Sequence, residues 1–263
     1  MRLATWNINS VRLRLPLLLR LVAEQQPDVI CLQEIKCQNE VFPAADLAKA
    51  GYPHQHVCGM KSYNGVAILS RQPLCNPGVL HWQGREDCRH VHAELANGIE
   101  IHNLYVPAGG DIPDPVVNPK FAHKLGFVEE QTAWWEKQPR DVKRILVGDL
   151  NIAPLEHDVW SHKQMRDVVS HTEPEISRLN TMQRSQDWVD ALRHFVLPQE
   201  KLYTWWSYRA QDWEASNRGR RLDHIWVSPG LQPHLKGVTV LREARGWDPK
   251  PSDHVPVLLD LND

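Results

Sequence analysis

The feature that most restricts the fold is an alternation of segment types. Short apolar runs at residues 3–8, 29–33, 66–70, 91–95, 99–106, 145–148, 222–227, 238–241 and 255–261 have the length of strands. Among them, residues 13–25, 121–137 and 186–195 carry apolar side chains at three- and four-residue spacing, the period of an amphipathic helix. A chain that interleaves the two must stack helices on sheets. Several strand runs follow one another with only short gaps and read as hairpins. The expectation is therefore a mixed α/β sandwich rather than an all-parallel dinucleotide sheet. Neither GxGxxG nor GxxxxGKS/T occurs. No low-complexity tract, short-period repeat or linker interrupts the pattern, so one domain over residues 1–263 is expected.

Composition narrows the class. A hydrophobic content of 42% supports a sizeable core. The net charge of −2 argues against a histone-like polyanion binder but permits a local basic face. No run approaches the ~20 apolar residues of a membrane span. The opening stretch MRLATWNINSVRLRL has no secretory apolar core or cleavage site. The cysteines, Cys31, Cys37, Cys58, Cys75 and Cys88, are odd in number and form no CxxC. A reduced, cytoplasmic protein without membrane association fits this usage better than a disulfide scaffold or zinc finger.

Polar residues collect where the strands end. Asn7 and Asn9 close the first run, Glu34 the second, and Tyr105 the run ending NLYVP. Asp149 and Asn151 end RILVGDLN, Asp223 sits in RRLDHIWV, and Asp253 and His254 precede the last run. Ligands of α/β sheets bind beyond strand ends. Each residue alone has a plainer reading. Asn7 or Asn9 could cap a turn, Glu34 could pair with Lys36, and Tyr105 could pack with a solvated hydroxyl. Asp149 with Asn151 could form an Asx turn, Asp223 could pair with Arg221, and Asp253 and His254 could cap a strand. Their joint occurrence favours one site. Hard oxygen donors suit Mg²⁺ or Mn²⁺. Zinc is disfavoured: His54 and His56, like His90 and His92, share a strand face but lack a third ligand.

The ordered motifs WNINS, CLQEIK, YNGVAILSR, NLYVP, GDLNIAP, RLDHIWVS and SDHVPV resemble the exonuclease III family of apurinic/apyrimidinic endonucleases, within the endonuclease/exonuclease/phosphatase superfamily. The resemblance spans nearly the whole chain. It implies a four-layer α/β sandwich, two mixed β-sheets flanked by helices, with the site at one edge. It further implies a Mg²⁺-dependent DNA-repair hydrolase, with Mn²⁺ as a substitute. Such an enzyme cleaves 5′ to abasic sites in double-stranded DNA and acts as a 3′–5′ exonuclease and 3′-phosphodiesterase or phosphatase. The substrate would be a duplex with abasic or 3′-blocked sites, and the protein a monomer.

Carried over position by position, the resemblance makes Glu34 the main metal ligand, with Asn7 beside it and Asp253 contributing. Lys36 and Asn9 would support them. Asp149 resembles the aspartate that handles the attacking water, with Asn151 holding water or phosphate. His254 resembles the phosphate-binding histidine, oriented by Asp223, and Tyr105 the tyrosine near the scissile phosphate. Trp205 and Leu222 would wall a pocket for the abasic sugar, and Arg209 and Arg221 would meet the DNA backbone. Arg220 stands where relatives often carry an apolar residue, and Ala108 where many have an amide.

The residue types suit this chemistry on their own terms. Phosphodiester hydrolysis needs a positioned water, a proton acceptor and charge stabilisation. A histidine bonded to a carboxylate keeps its proton and clamps a phosphate. Asp149 and Asn151, two apart at a strand end, would share a face. The base is either Asp149 or a metal hydroxide helped by it. Tyr203, Trp205, Trp206, Tyr208 and Trp213 interleave with Arg209, Arg218, Arg220 and Arg221, either as a core strand with a basic loop or as a rim for DNA. A non-catalytic DNA-binding relative is disfavoured by the retained acids, histidine and tyrosine. A phosphatase or sphingomyelinase-like phosphodiesterase would not need the Trp/Arg-rich segment.

Overall fold

A computed structural model describes residues 1–262. Strands β1 (Arg2–Asn7), β2 (Val29–Gln33), β3 (His54–Cys58), β4 (Val66–Ser70), β5 (Leu74–Val79), β6 (His90–Leu95), β7 (Glu100–Tyr105), β8 (Arg144–Asp149) and β9 (Val189–Asp190) are followed by a short ribbon, β10 (Trp205–Trp206) and β11 (Gly219–Arg220). Strands β12 (Asp223–Val227), β13 (Leu235–Val240) and β14 (Val257–Leu261) complete the set. The main helices are α1 (Leu15–Gln25), α2 (Ala44–Lys49), α3 (Pro119–Trp135), α4 (His162–Met165), α5 (Glu173–Ser185), α6 (Ala191–Phe195) and α7 (Trp213–Ser216).

Two six-stranded sheets form, ordered β13-β14-β1-β2-β4-β3 and β5-β6-β7-β8-β12-β9. They follow one plan. Each has a single parallel pair at its centre, β1 with β2 and β7 with β8, and antiparallel pairing elsewhere. A parallel pair needs a long crossover; α1 spans the first and α3 the second. The strand pleat sorts side chains into layers. In β1, Leu3 joins the core between the sheets, while Ala4 and Trp6 join the layer that holds the α1 residues Leu17, Leu18 and Leu21. In β8, Ile145 and Val147 face the inter-sheet core, and Leu146 faces the layer containing α3 and α5 residues such as Val128 and Met182. The result is helix, sheet, sheet, helix.

Local signals set the element ends. Pro16 occupies the first turn of α1, which stops at a left-handed Gln26. Asn118 caps α3 by accepting from the Lys120 N–H at 3.0 Å. Several elements differ from expectation. The helix expected over 186–195 is a turn, β9 and the short α6; the long helix is α5, one step earlier. Its buried face offers only Leu179 and Met182 as apolar residues, beside Glu175 and Ser185, so the periodic signal is faint. Strand β5 contains Pro77 and a register break between Cys75 and Gly78, both tolerated on a sheet edge. Strand β3, where His54 and His56 were expected to share a strand face, is a sheet edge half-buried along its length.

Candidate active site

Strand direction gathers the polar ends. Asn7 pairs with Gln33 across β1 and β2, which places Asn7 and Glu34 side by side at one end of the first sheet. Tyr105 pairs with Asp149 across β7 and β8, and Asp149 with Asp223 across β12. His254 lies just before β14, the antiparallel neighbour of β1. Parallel strands leaving and antiparallel strands entering thus meet at the same edge of both sheets.

One side chain joins the halves. Asn7 Nδ2 donates to Glu34 Oε1 at 2.9 Å and to Asp149 Oδ2 at 2.8 Å. Tyr105 donates its hydroxyl proton to Glu34 Oε1 at 2.8 Å, and Lys36 Nζ meets Glu34 Oε2 at 2.7 Å. The plain reading of Glu34 as an ion-pair partner of Lys36 is therefore also true. Lys36 donates on to Asn9 Oδ1 at 2.7 Å. Across the cleft, His254 Nδ1 lies 2.8 Å from Asp223 Oδ2, and His254 Nε2 lies 3.6 Å from Asp149 Oδ2.

The backbone here is forced. Asn9, Glu34, Lys36 and Asn151 all hold positive φ, at 48°, 49°, 51° and 54°. Non-glycine residues in this region cost of order 1–3 kcal/mol each and gather at functional sites. Asn151 reaches Asp149 through this turn and not through the strand pleat: β8 ends at Asp149, and the Asn151 N–H donates to Asp149 Oδ1 at 2.9 Å. The Asx turn and the shared site are one arrangement. Asn151 Nδ2 donates to Val106 O at 2.8 Å and to Asp149 Oδ2 at 3.2 Å.

Charge follows from burial and neighbours. Burial, reinforced by Asp223 and Glu34, pushes the Asp149 carboxyl up to about 7, against the pull of His254 and the Asn7 amide. Burial works against a charged His254, but Asp223 and Asp149 outweigh it and raise its pKa to about 10. Tyr105 is pushed well above the usual phenol range by burial and by Glu34 and Asp149, so it remains a proton donor. Glu34 is held below the ordinary range: burial opposes ionisation, but Lys36, Asn7 and His254 outweigh it.

Could these groups hold a metal ion? Four carboxylates, Glu34, Asp149, Asp223 and Asp253, face two cationic groups, Lys36 and His254. The oxygen-rich set has an excess of negative charge, which suits a hard divalent cation. Asp149, Asp223 and His254 also lie close enough to be considered as ligands. Both imidazole nitrogens already face carboxylates, however, and the raised His254 pKa opposes the neutral form that a metal requires. Partly exposed Glu34, with the Asn7 amide behind it, fits better.

One expected ligand has further partners, and one expected contact is overturned. Asp253, expected among the metal ligands, accepts from Asn9 Nδ2 at 3.0 Å through Oδ1 and from Trp205 Nε1 at 2.9 Å through Oδ2. It orients the tryptophan. Arg221, expected on the DNA backbone, is fully buried and paired with Asp158 at 2.8 Å and Asp190 at 2.6 Å. It pairs with neither solvent nor Asp223. Arg209 is exposed, and Leu222 is buried in a cluster against which half-buried Trp205 packs.

Supporting residues escaped the sequence reading. Thr204 Oγ1 donates to Asp223 Oδ2 at 2.6 Å and accepts from the Leu222 and Asp223 N–H groups. Ser252 Oγ donates to Asn7 O at 2.7 Å and accepts from His254 N–H. Buried Lys124 pairs with Glu175 at 2.5 Å and donates to Asn151 O at 2.8 Å. A lysine on the apolar face of a helix, between Phe121 and Leu125, was the readable signal for the last. The other two are short hydroxyls with no pattern of their own.

The endonuclease/exonuclease/phosphatase family matches residues 4–254. The chain is 30% identical to the exodeoxyribonuclease III of Haemophilus influenzae, covering 98% of each. It superposes on an AP endonuclease from Archaeoglobus fulgidus with a TM-score of 0.92 at 30% identity, covering all of both chains. A 3′ phosphatase from Neisseria bound to a product DNA hairpin gives a TM-score of 0.91 at 31% identity, again over both whole chains.

Proposed function

The chain belongs to the endonuclease/exonuclease/phosphatase family, in its exonuclease III branch of DNA-repair nucleases, and on that premise we propose its reaction. It hydrolyses the phosphodiester 5′ to abasic sites in duplex DNA, and it removes nucleotides or blocking phosphates from 3′ ends. The observation that carries this is the Asn7 amide, which touches Glu34 from one strand set and Asp149 from the other. A cation ligand and a proton acceptor thereby face one scissile phosphate. The relatives named as an AP endonuclease and as a 3′ phosphatase bound to DNA support both substrate types.

Glu34 and Asn7 would hold the cation, Mg²⁺ with Mn²⁺ as a substitute, and Asp253 would border it. When bound, such an ion draws charge from a phosphate oxygen and balances the surplus carboxylates. Protonated His254, held by Asp223, grips a phosphate oxygen. Tyr105, which keeps its proton, donates to another. Asp149 takes the proton of the attacking water, oriented through the turn at Asn151. Trp205 and Leu222 wall the sugar pocket, and exposed Arg209 meets the backbone. Residues 1–263 act as one catalytic domain, and the protein as a monomer.

The test is a duplex bearing one abasic analogue, incubated with Mg²⁺ and with a chelator, beside a duplex ending in a 3′-phosphate. Incision 5′ to the lesion in Mg²⁺ alone, lost in Glu34→Ala with DNA binding retained, is expected. Incision undiminished by chelator, or full activity in that variant, would refute the reading.

A further inference from the structure

The cysteines do not behave alike. Cys31 and Cys37 are buried and Cys75 is exposed. Cys58 and Cys88 are half-buried, and their sulfurs lie 2.7 Å apart. Among the described residues no other cysteine sulfur has a second sulfur within hydrogen-bond reach. Cys58 ends β3, the edge of the first sheet, and Cys88 lies in the loop entering β6 of the second. The backbones are already docked: the Gly65 N–H donates to Cys88 O at 3.1 Å, and Asn64 Nδ2 to Asp87 O at 3.0 Å. We propose that Cys58 and Cys88 form a reversible disulfide that staples the two sheets together beside the catalytic cleft.

The pair is built for exchange. The hydrogen bond from Cys58 holds the Cys88 thiol below its ordinary range, against burial and the Asp87 charge, while Cys58 is raised by the same bond. With Cys88 as the nucleophile, Cys58 is the resolving thiol. With a hydroperoxide as oxidant, Cys88 thiolate attacks one peroxide oxygen. The S–O bond forms, the O–O bond breaks and hydroxide leaves to take up a proton. The Cys88 sulfenic acid is then attacked by Cys58, which gives up its proton as the S–S bond forms and water departs. Two thiols lose two electrons, and the peroxide gains them. An external dithiol reverses the bond.

The position matters for the cleft. Arg89, next to Cys88, packs over the Tyr105 ring at 4.8 Å, and its carbonyl accepts from the Tyr105 N–H at 2.8 Å. Gly65 O accepts from the Ile35 N–H at 3.1 Å, and Asn64 O from that of Lys36 at 3.0 Å, both just after Glu34. The staple clamps the two loops that carry these contacts.

The experiment uses the wild-type protein, treated with hydrogen peroxide in the folded state, then unfolded in guanidinium, alkylated with N-ethylmaleimide and read by intact mass and peptide mapping. Of the five cysteines, three should label after oxidation, since the staple consumes two. The map should show one Cys58–Cys88 cross-link, and dithiothreitol should restore all five. In Cys88→Ser, each of the remaining four should label with or without mild peroxide. Five labels on the oxidised wild type, or a cross-link through Cys31, Cys37 or Cys75 in place of this one, would overturn the proposal.

Discussion

Arg220 and Arg221 are neighbours in the chain and do opposite things. Arg220 lies over the Trp205 ring at 5.0 Å and donates to Val169 O and Ser170 Oγ, at the rim of the site. Arg221 points into the protein between Asp158 and Asp190, and Arg193 reaches the same Asp158 at 2.5 Å. Removing one member of a buried ion cluster leaves its partners short of counter-charge, here Asp190 without its arginine and Asp158 with Arg193 alone, which costs about 3–5 kcal/mol. Arg221→Ala should therefore lower stability by that amount in urea unfolding while leaving the salt dependence of DNA binding unchanged. Exposed Arg209→Ala should do the reverse, reducing the salt slope by about one with little change in stability. Burial opposes the Asp158 charge, but Arg221 and Arg193 hold its pKa below the usual carboxylate range. A group depressed in the folded state stabilises fully above its unfolded value, about 3.9, and less as pH falls through its folded value. Asp158→Asn should be markedly less stable than wild type at pH 7, with the gap narrowing at pH 3. An equal gap at both would contradict the pairing.

At the scale of elements, the parallel pair β7–β8 does most to set the site. Gly148, one residue before Asp149, has a φ of +137°, and a Cβ there would lie 1.9 Å from Leu104 O. No side chain fits without parting the two strands. Gly148→Ala should cost about 3 kcal/mol of stability through this strained backbone. It should also depress kcat, because Tyr105 and Asp149 are paired directly beyond it. Normal turnover in a folded Gly148→Ala protein would show that the register does not place these two groups. Apolar runs predicted the central strands well, since strands buried on both faces are nearly all apolar. Edge β5 and helix α5 were not legible: each buries only part of its length, so its sequence carries little pattern.

At the scale of the molecule, two sheets of the same plan must keep a fixed relation, because Glu34 and Asp149 come from different ones. A buried polar bridge crosses the apolar layer between them. Gln33 Nε2 donates to Thr5 Oγ1 at 3.0 Å and to Asn103 Oδ1 at 2.7 Å, and Asn103 Nδ2 donates to Leu32 O and Ala67 O, both at 2.9 Å. Asn103→Leu would strand these partners in a dry interior, at a cost of about 1–3 kcal/mol for each unsatisfied group. The urea midpoint should fall, and activity should fall in the folded variant as the sheets lose their alignment. An unchanged midpoint would remove the bridge from the account of how the halves are held.

The sequence by itself determined the class of layers and the identity of the polar residues. Alternating apolar segments dictate stacked sheets and helices, and ordered motifs such as GDLNIAP and SDHVPV are local strings that survive without knowledge of their neighbours. Only the tertiary structure decided which polar residues meet. Asp253 turned to Trp205, Arg221 turned inward to Asp158, and the Cys58 and Cys88 sulfurs came into contact, each through partners 30 or more residues away. Contacts of that range are fixed by strand order and register, which no short stretch of chain encodes alone.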